Sequence, residues 1–118
     1  LRNCKEEIID KGGHIFFAIF ESKVVGTMAL IPRDEGVYEL NKMAVKKDLR
    51  GNGIGHQLIQ HTIDFAKNNN YKSVILYSNT VLKNSIHLYN KFGFKKIDNP
   101  DAPYERSDIK MEYILSNS

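Results

Sequence analysis

A mixed α/β fold, with a central and largely antiparallel sheet flanked by helices, is the expectation set by three patterns in the sequence. Two apolar runs joined by a short turn read as a hairpin. A strand-like run, a glycine-rich loop, a stretch of helical period and a further strand-like run read as a crossover between parallel strands. A closing stretch alternates apolar and polar residues, as an antiparallel strand does. At 118 residues the chain fits one domain over 1–118, large enough for a single core.

Each element has its own signal. Residues 1–11 mix Ile8 and Ile9 with Lys5, Glu6, Glu7 and Asp10, which suits the end of an amphipathic helix stopped at Gly12 and Gly13. Residues 14–21 set Ile15, Phe17 and Ile19 against Phe16, Ala18 and Phe20, the pattern of a strand covered on both faces. Ser22 and Lys23 turn the chain into a second strand, 24–31, in which Gly26 marks a bulge or a close backbone approach. After a turn at 32–36, a strand over 37–45 puts Val37, Glu39, Asn41, Met43 and Val45 on one face and Tyr38, Leu40, Lys42 and Ala44 on the other.

That strand leads into glycines and then a helix whose Ile54, Leu58, Ile59, Thr62, Ile63, Phe65 and Ala66 form one apolar stripe ending near residues 68–70. A strand at 72–78 follows, with Val74, Ile75, Leu76 and Tyr77. Thr80 reads as the N-cap of a helix over 81–91, and Gly93 is placed to end it in a left-handed conformation. A short strand at 94–97, a loop at 98–106 with Pro100 and Pro103, and a strand at 108–115 complete the chain.

Composition narrows the function. The hydrophobic fraction of 42% and charged fraction of 26% are ordinary for a globular protein. A formal charge of +3, spread among acidic residues, accommodates an anionic ligand and argues against a nucleic-acid surface. The lone Cys4 rules out an internal disulfide and a multi-cysteine zinc site, so a reducing cytoplasm is the expected compartment. No apolar run approaches the roughly 18 residues that span a bilayer, and no leader pattern is present. The first residue is Leu1, so a fragment or a processed product is expected. His14, His56, His61 and His87 have no carboxylate at metal-ligand spacing and read as surface or packing residues. No metal is expected.

The run Arg50-Gly51-Asn52-Gly53-Ile54-Gly55-His56 carries the functional argument. Glycines let the backbone take positive φ and turn N–H groups inward, and the N-terminus of the next helix favours negative charge, so the stretch suits a diphosphate. No Gly-Lys-Ser or Gly-Lys-Thr occurs, which excludes a nucleotidase phosphate loop. Gly55 comes one place too early for the dinucleotide fingerprint. A plain turn between strand and helix is the remaining alternative.

Arg50-x-x-Gly53-x-Gly55 resembles the R/Q-x-x-G-x-G/A signature of the GNAT superfamily of acyl-CoA-dependent N-acyltransferases. Ser85-Ile86-His87-Leu88-Tyr89-Asn90-Lys91-Phe92-Gly93-Phe94 is similar to a second stretch of that family. Tyr38-Glu39-Leu40-Asn41-Lys42-Met43-Ala44-Val45 is similar to the strand before its cofactor loop, and Asp108-Ile109-Lys110-Met111-Glu112 to its closing strand. The likeness spans residues 14 to 115.

The resemblance implies a single N-acetyltransferase domain whose sheet splays between the strands at 37–45 and 72–78, with acetyl-CoA as co-substrate in the wedge. It implies contacts to coenzyme A from Met43, Ala44, Val45, Arg50, Gly51, Asn52, Gly53, Ile54, Gly55, His56 and Ser85. Leu82 stands where many members carry an asparagine, and Asn79 is the candidate substitute. The first strand and helix usual in the family are missing or reduced to residues 1–11.

An amine must be neutral to attack a thioester, and a lysine-like amine has a pKa of about 10.4, so a base or desolvation has to help. Glu39 matches the family's base, with an ion-pair role as the alternative. Tyr89 matches the tyrosine that protonates the departing thiolate, with a core aromatic as the alternative. No covalent nucleophile lies beside the loop, so direct transfer in a ternary complex is expected. The implied partner is a small-molecule or peptide amine, with a homodimer left open and neither nucleic acid nor membrane. Asp98, Asp101 and Glu105 hint at a cationic acceptor. A non-catalytic acyl-CoA-binding module of the same fold is the competing reading.

Overall fold

The structure, a computed structural model, describes residues 3–9, 12–49, 51, 53–97 and 107–115. In chain order these form β1 (Asn3–Ile9), β2 (Gly13–Phe20), β3 (Lys23–Asp34), β4 (Val37–Val45), a 3-10 turn (Lys47–Leu49), α1 (Ile54–Asn68), β5 (Ser73–Ser78), α2 (Lys83–Phe92), β6 (Lys95–Ile97) and β7 (Ile109–Ile114). The strands make one seven-stranded sheet in the order β1-β2-β3-β4-β5-β7-β6. Within it β4 and β5 are parallel and every other neighbouring pair is antiparallel. The mixed, largely antiparallel architecture expected from the sequence is therefore present.

The N-terminal stretch corrects one expectation. Residues 3–9 are not the end of a helix but an edge strand, paired with β2 from Asn3 opposite Ile19 to Ile9 opposite Gly13. A segment this short carries too few apolar residues for a helical period to hold against an open strand edge that satisfies its backbone groups. Gly12, at φ 81, makes the turn.

The β2–β3 hairpin turns on Glu21 and Ser22, both at positive φ, one residue before the expected position. Two consecutive left-handed residues match the right-handed twist of the flanking strands. Gly26 answers to both of its sequence readings. Val25 is the extra residue of a bulge between Gly26 and Val24, and a Cβ on Gly26 would come within 3.0 Å of both Ile54 and Leu58. The glycine lets α1 lie close against β3.

Directly paired residues share a face, so one side of the sheet carries Phe16, Ala18, Met28, Leu30, Leu40, Val74, Leu76, Ile109 and Met111. These join Ile54, Leu58, Ile59, Ile63 and Ala66 of α1, with Tyr89 and Phe94, in one core. Burying each of the larger side chains stabilises the fold by roughly 1.5–3 kcal/mol. The apolar stripe of α1 is thus the one the sequence drew. Both helices cover this face. On the opposite face Ile15, Phe17 and Ile19 are half-buried, and among the described residues no helix packs there, so the expected two-sided cover of β2 is one-sided.

Candidate active site

Three cross-strand pairs hold β4 to β5: Val37 to Ser73, Tyr38 to Val74 and Glu39 to Ile75. The Tyr38 and Tyr71 rings stack 3.8 Å apart at this closed end. Beyond Glu39 the strands part. Two β4 residues, Lys42 and Met43, stand opposite the single Met28 of β3, and such a bulge bends its strand. Meanwhile β5 continues alongside β7 as far as Ser78 opposite Ile109. Among the described residues no strand pairs with the β5-facing edge of β4 from Leu40 to Val45.

The bulge also corrects the alternation expected for β4. Ala44 pairs with Thr27 and Val45 with Gly26, which moves Val45 to the helix-covered face, where it approaches Gly55. Glu39 remains on the opposite face.

The gap is a slot of about 580 Å³ through the sheet, lined by Glu39, Leu40, Asn41 and Met43 of β4, Leu76, Tyr77 and Ser78 of β5, Ser85 and Tyr89 of α2, and Asn79, Val81, Leu82 and Ser107. Glu39 is 2% exposed. Arg33 Nε donates to its Oε1 at 2.7 Å and Asn41 Nδ2 to its Oε2 at 3.1 Å, so both oxygens are oriented. Neither partner was foreseen. Asn41 was accessible from strand alternation, being two residues from Glu39 on the same face; Arg33 was not, because a register shift after Pro32 brings it there.

Tyr89 is 7% exposed, and its ring meets Phe94 edge-on at 5.9 Å. Among the described residues its hydroxyl has no hydrogen-bond partner, although it borders the slot. Burial pushes the phenol above its ordinary value, so it stays protonated throughout the neutral range. A proton donor is available there.

The glycine stretch sits where α1 begins. Gly51 and Gly53 have φ of 88 and 79, values that favour glycine, and a Cβ on either would meet nothing within 4 Å. Gly53 caps α1 in a left-handed conformation, and its carbonyl accepts the Gln57 N–H. The amides of the first helical turn have no intrahelical acceptor, so the loop and helix start together fit an anion. Gly55 differs from expectation: it is an ordinary helical residue whose Cβ would make only normal contacts with Val45 and Leu88. His56 is exposed and its ring lies 4.6 Å from that of Phe92. Arg50 and Asn52 lie outside the described residues.

The expected helix N-cap is replaced by a turn. The Thr80 N–H and hydroxyl both donate to Asp108, each at 2.7 Å, while the Asn79 side chain accepts the Val81 N–H at 3.0 Å. The helix starts later, at Lys83, with Thr80 committed to Asp108 just before β7. The Thr80 hydroxyl, then its backbone N–H, hold the Asp108 carboxyl below the usual carboxylate range. A lowered folded-state value stabilises above the ordinary pKa of about 3.9, and that contribution disappears as pH falls through the folded value. The stability difference between wild type and Asp108→Ala, followed by thermal melts, is therefore expected at pH 7 and should shrink as the pH is lowered past that point.

Among the described residues no helix is long and apolar enough to cross a membrane, and no three His, Cys, Asp or Glu side chains converge as for a metal ion. A sheet opened between two parallel strands, with a glycine-capped helix start following β4 and a buried carboxylate and phenol lining the gap, frames the candidate site. The family model described as the Acetyltransferase (GNAT) family matches residues 2–94, and the chain belongs to that family.

Its relatives agree. N-acetylaspartate synthetase of Danio rerio is 30% identical over 112 residues, a match that covers 86% of this chain and 40% of the relative, so the chain spans less than half of that protein. A GNAT-family acetyltransferase of Staphylococcus aureus superposes with a TM-score of 0.82 at 26% identity, over 92% of this chain and 72% of the other. A GNAT-family acetyltransferase of Elizabethkingia anophelis with acetyl-CoA bound gives 0.77 at 26% identity, over 87% and 76%.

Proposed function

We propose that this domain transfers an acetyl group from acetyl-CoA to a primary amine, small-molecule or peptide, by direct attack in a ternary complex in the cytoplasm. The observation that carries the reading is the slot itself, opening after the Glu39–Ile75 pair, in a chain whose β4 is followed by positive-φ glycines at the start of α1. The acetyl-CoA held by the Elizabethkingia anophelis relative supports it.

In this reading the diphosphate rests on the amides at Gly51, Gly53, Ile54, Gly55 and His56, together with Arg50 and Asn52. The pantetheine arm runs along the unpaired edge of β4 at Met43, Ala44 and Val45, as an added strand would. Asn79 and Ser85 flank it from the opposite wall. The bound thioester supplies an activated acyl carbon. Glu39, oriented by Arg33 and Asn41, takes a proton from the incoming ammonium, directly or through water. As the new N–C bond forms and the C–S bond breaks, Tyr89 gives its proton to the departing sulfur; the acylated nitrogen sheds its second proton, which restores Tyr89 by way of solvent, and the proton taken by Glu39 returns to solvent. The products are an amide and a free thiol.

The test is calorimetric binding of coenzyme A followed by thiol release with an amine panel of peptide N-termini, lysine side chains, polyamines, amino sugars and free amino acids. Binding with turnover is expected. Tight binding without acylation of any amine would favour a sensing module, and no binding would sink the proposal. Gly53→Val tests the loop alone: a β-branched residue in the left-handed region is strained by about 1–2 kcal/mol. Coenzyme A binding is expected to weaken by about tenfold or more, while thermal melting moves by only roughly 4–15 °C.

A further inference from the structure

The wall of the slot opposite β4 is built by more than a strand. Ser78 closes β5, and Asn79, Val81 and Leu82 continue the lining along the turn into α2, with Ser107, just before β7, in the same lining. The turn is folded on itself. The Asn79 side chain accepts the Val81 N–H at 3.0 Å, the Asn79 carbonyl accepts the Leu82 N–H at 2.9 Å, and the Leu82 carbonyl accepts the Ile86 N–H at 3.1 Å. Asp108 ties this unit to the sheet. Its N–H donates to the Ser78 carbonyl at 2.9 Å, and its carboxylate accepts from the Thr80 N–H and the Thr80 hydroxyl, each at 2.7 Å.

Thr80 and Asp108 stand outside the lining, but both neighbours of Thr80 belong to it, and so does Ser107 beside Asp108. One carboxylate therefore joins two stretches of the same wall. Val81 and Leu82 are 76% and 52% exposed. Large apolar side chains left to water gain by turning inward, so a turn that keeps them at the rim has to be held from outside. Hydrogen bonds to an ionised acceptor are shorter and stronger than neutral ones, and two of them to one residue fix both its position and its rotation.

We propose that Asp108 is a positioning residue for the acyl carrier: through Thr80 it sets the β5–α2 turn so that Asn79, Val81 and Leu82 form the wall against which pantetheine rests. It touches neither the thioester nor the amine. The inference rests on the acyltransferase reading, which puts the carrier in the slot.

The experiment measures calorimetric binding of coenzyme A and steady-state turnover with acetyl-CoA for the full chain and its Asp108→Ala, Asp108→Asn and Thr80→Val variants, at a temperature where thermal melts show each to be folded. Coenzyme A is anionic, so loss of a negative charge beside the slot would by itself tighten binding in both Asp108 variants. The opposite is expected of Asp108→Ala: a dissociation constant and a KM for acetyl-CoA about five- to tenfold higher, with kcat at saturation changed less than about twofold. Asp108→Asn should stay within about twofold of wild type, because its amide oxygen still accepts the Thr80 N–H and its amide N–H can donate to the hydroxyl. Thr80→Val keeps the shape and the backbone bond but loses the hydroxyl, and should fall between. Hydrogen exchange at the Val81, Leu82 and Ile86 amides should quicken in Asp108→Ala while that of α1 stays as in wild type.

Wild-type affinity in Asp108→Ala, faster exchange in the turn without weaker binding, or a loss confined to kcat would overturn the proposal. Equal weakening in Asp108→Asn would also overturn it, since the hydrogen bonds would then not be the cause. Should Asp108→Ala fail to fold, Thr80→Val decides by the same measurements, and unchanged affinity there counts against the proposal. A wild type that binds no coenzyme A removes the acyltransferase reading and this inference together, whereas equal binding by wild type and Asp108→Ala removes this inference alone.

Discussion

Tyr89→Phe is expected to lower kcat by about 10²-fold or more while leaving coenzyme A affinity and the thermal midpoint nearly unchanged. The phenol borders the slot, and among the described residues nothing else bonds its hydroxyl, so deleting the oxygen removes no protein contact. The ring's edge-on packing against Phe94 survives in phenylalanine. What disappears is the proton proposed for the departing thiolate. Burial raises the tyrosine above its ordinary value of about 10, so the wild-type rate should stay level across the neutral range and fall only at alkaline pH, above that value. The variant should lack that alkaline limb. Unchanged turnover in single-turnover kinetics, where product release is not limiting, would assign Tyr89 to the core alone.

Glu39→Gln is expected to cost a comparable factor, about 10²-fold in kcat/KM near neutral pH. The substitution suits the site because it keeps the frame. The glutamine oxygen can still accept from Arg33 Nε, and its amide can donate to Asn41 if that side chain turns its oxygen inward. Loss of the base is then separable from loss of the fold. The sign of the pH dependence follows from the acceptor. At neutral pH a lysine-like amine with a pKa of about 10.4 is almost wholly protonated and needs deprotonation, whereas near its pKa the neutral amine is abundant. The defect should therefore shrink as pH rises. A deficit that stays constant with pH, accompanied by a lower melting temperature, would reassign Glu39 to a structural ion pair with Arg33.

Much of the backbone around the candidate site was legible because its signals are local. Gly51 and Gly53 announce left-handed backbone, and the stripe from Ile54 to Ala66 announces a helix facing a core. Gly93 sits at φ 108 at the end of α2, as its place after Phe92 implied. The errors cluster where a distant partner overrode the local pattern. Residues 3–9 became a strand by pairing with β2, and Thr80 turned away from α2 to bond Asp108, 28 residues further on. Strict alternation along β4 failed at Lys42 and Met43, since a bulge is defined by the strand opposite. The acidic loop residues Asp98, Asp101 and Glu105 lie outside the described residues.

By itself the sequence determined the order of elements from β2 onward, the left-handed glycines before α1 and the residue types able to take and give a proton. Backbone conformation and periodicity act over a few residues, and glycine, proline and apolar spacing encode them directly. Only the tertiary structure decided where β4 and β5 separate and that Arg33 and Asn41 grip Glu39. Those facts depend on registers between strands far apart in the chain, and a register is a property of two partners that neither strand states alone.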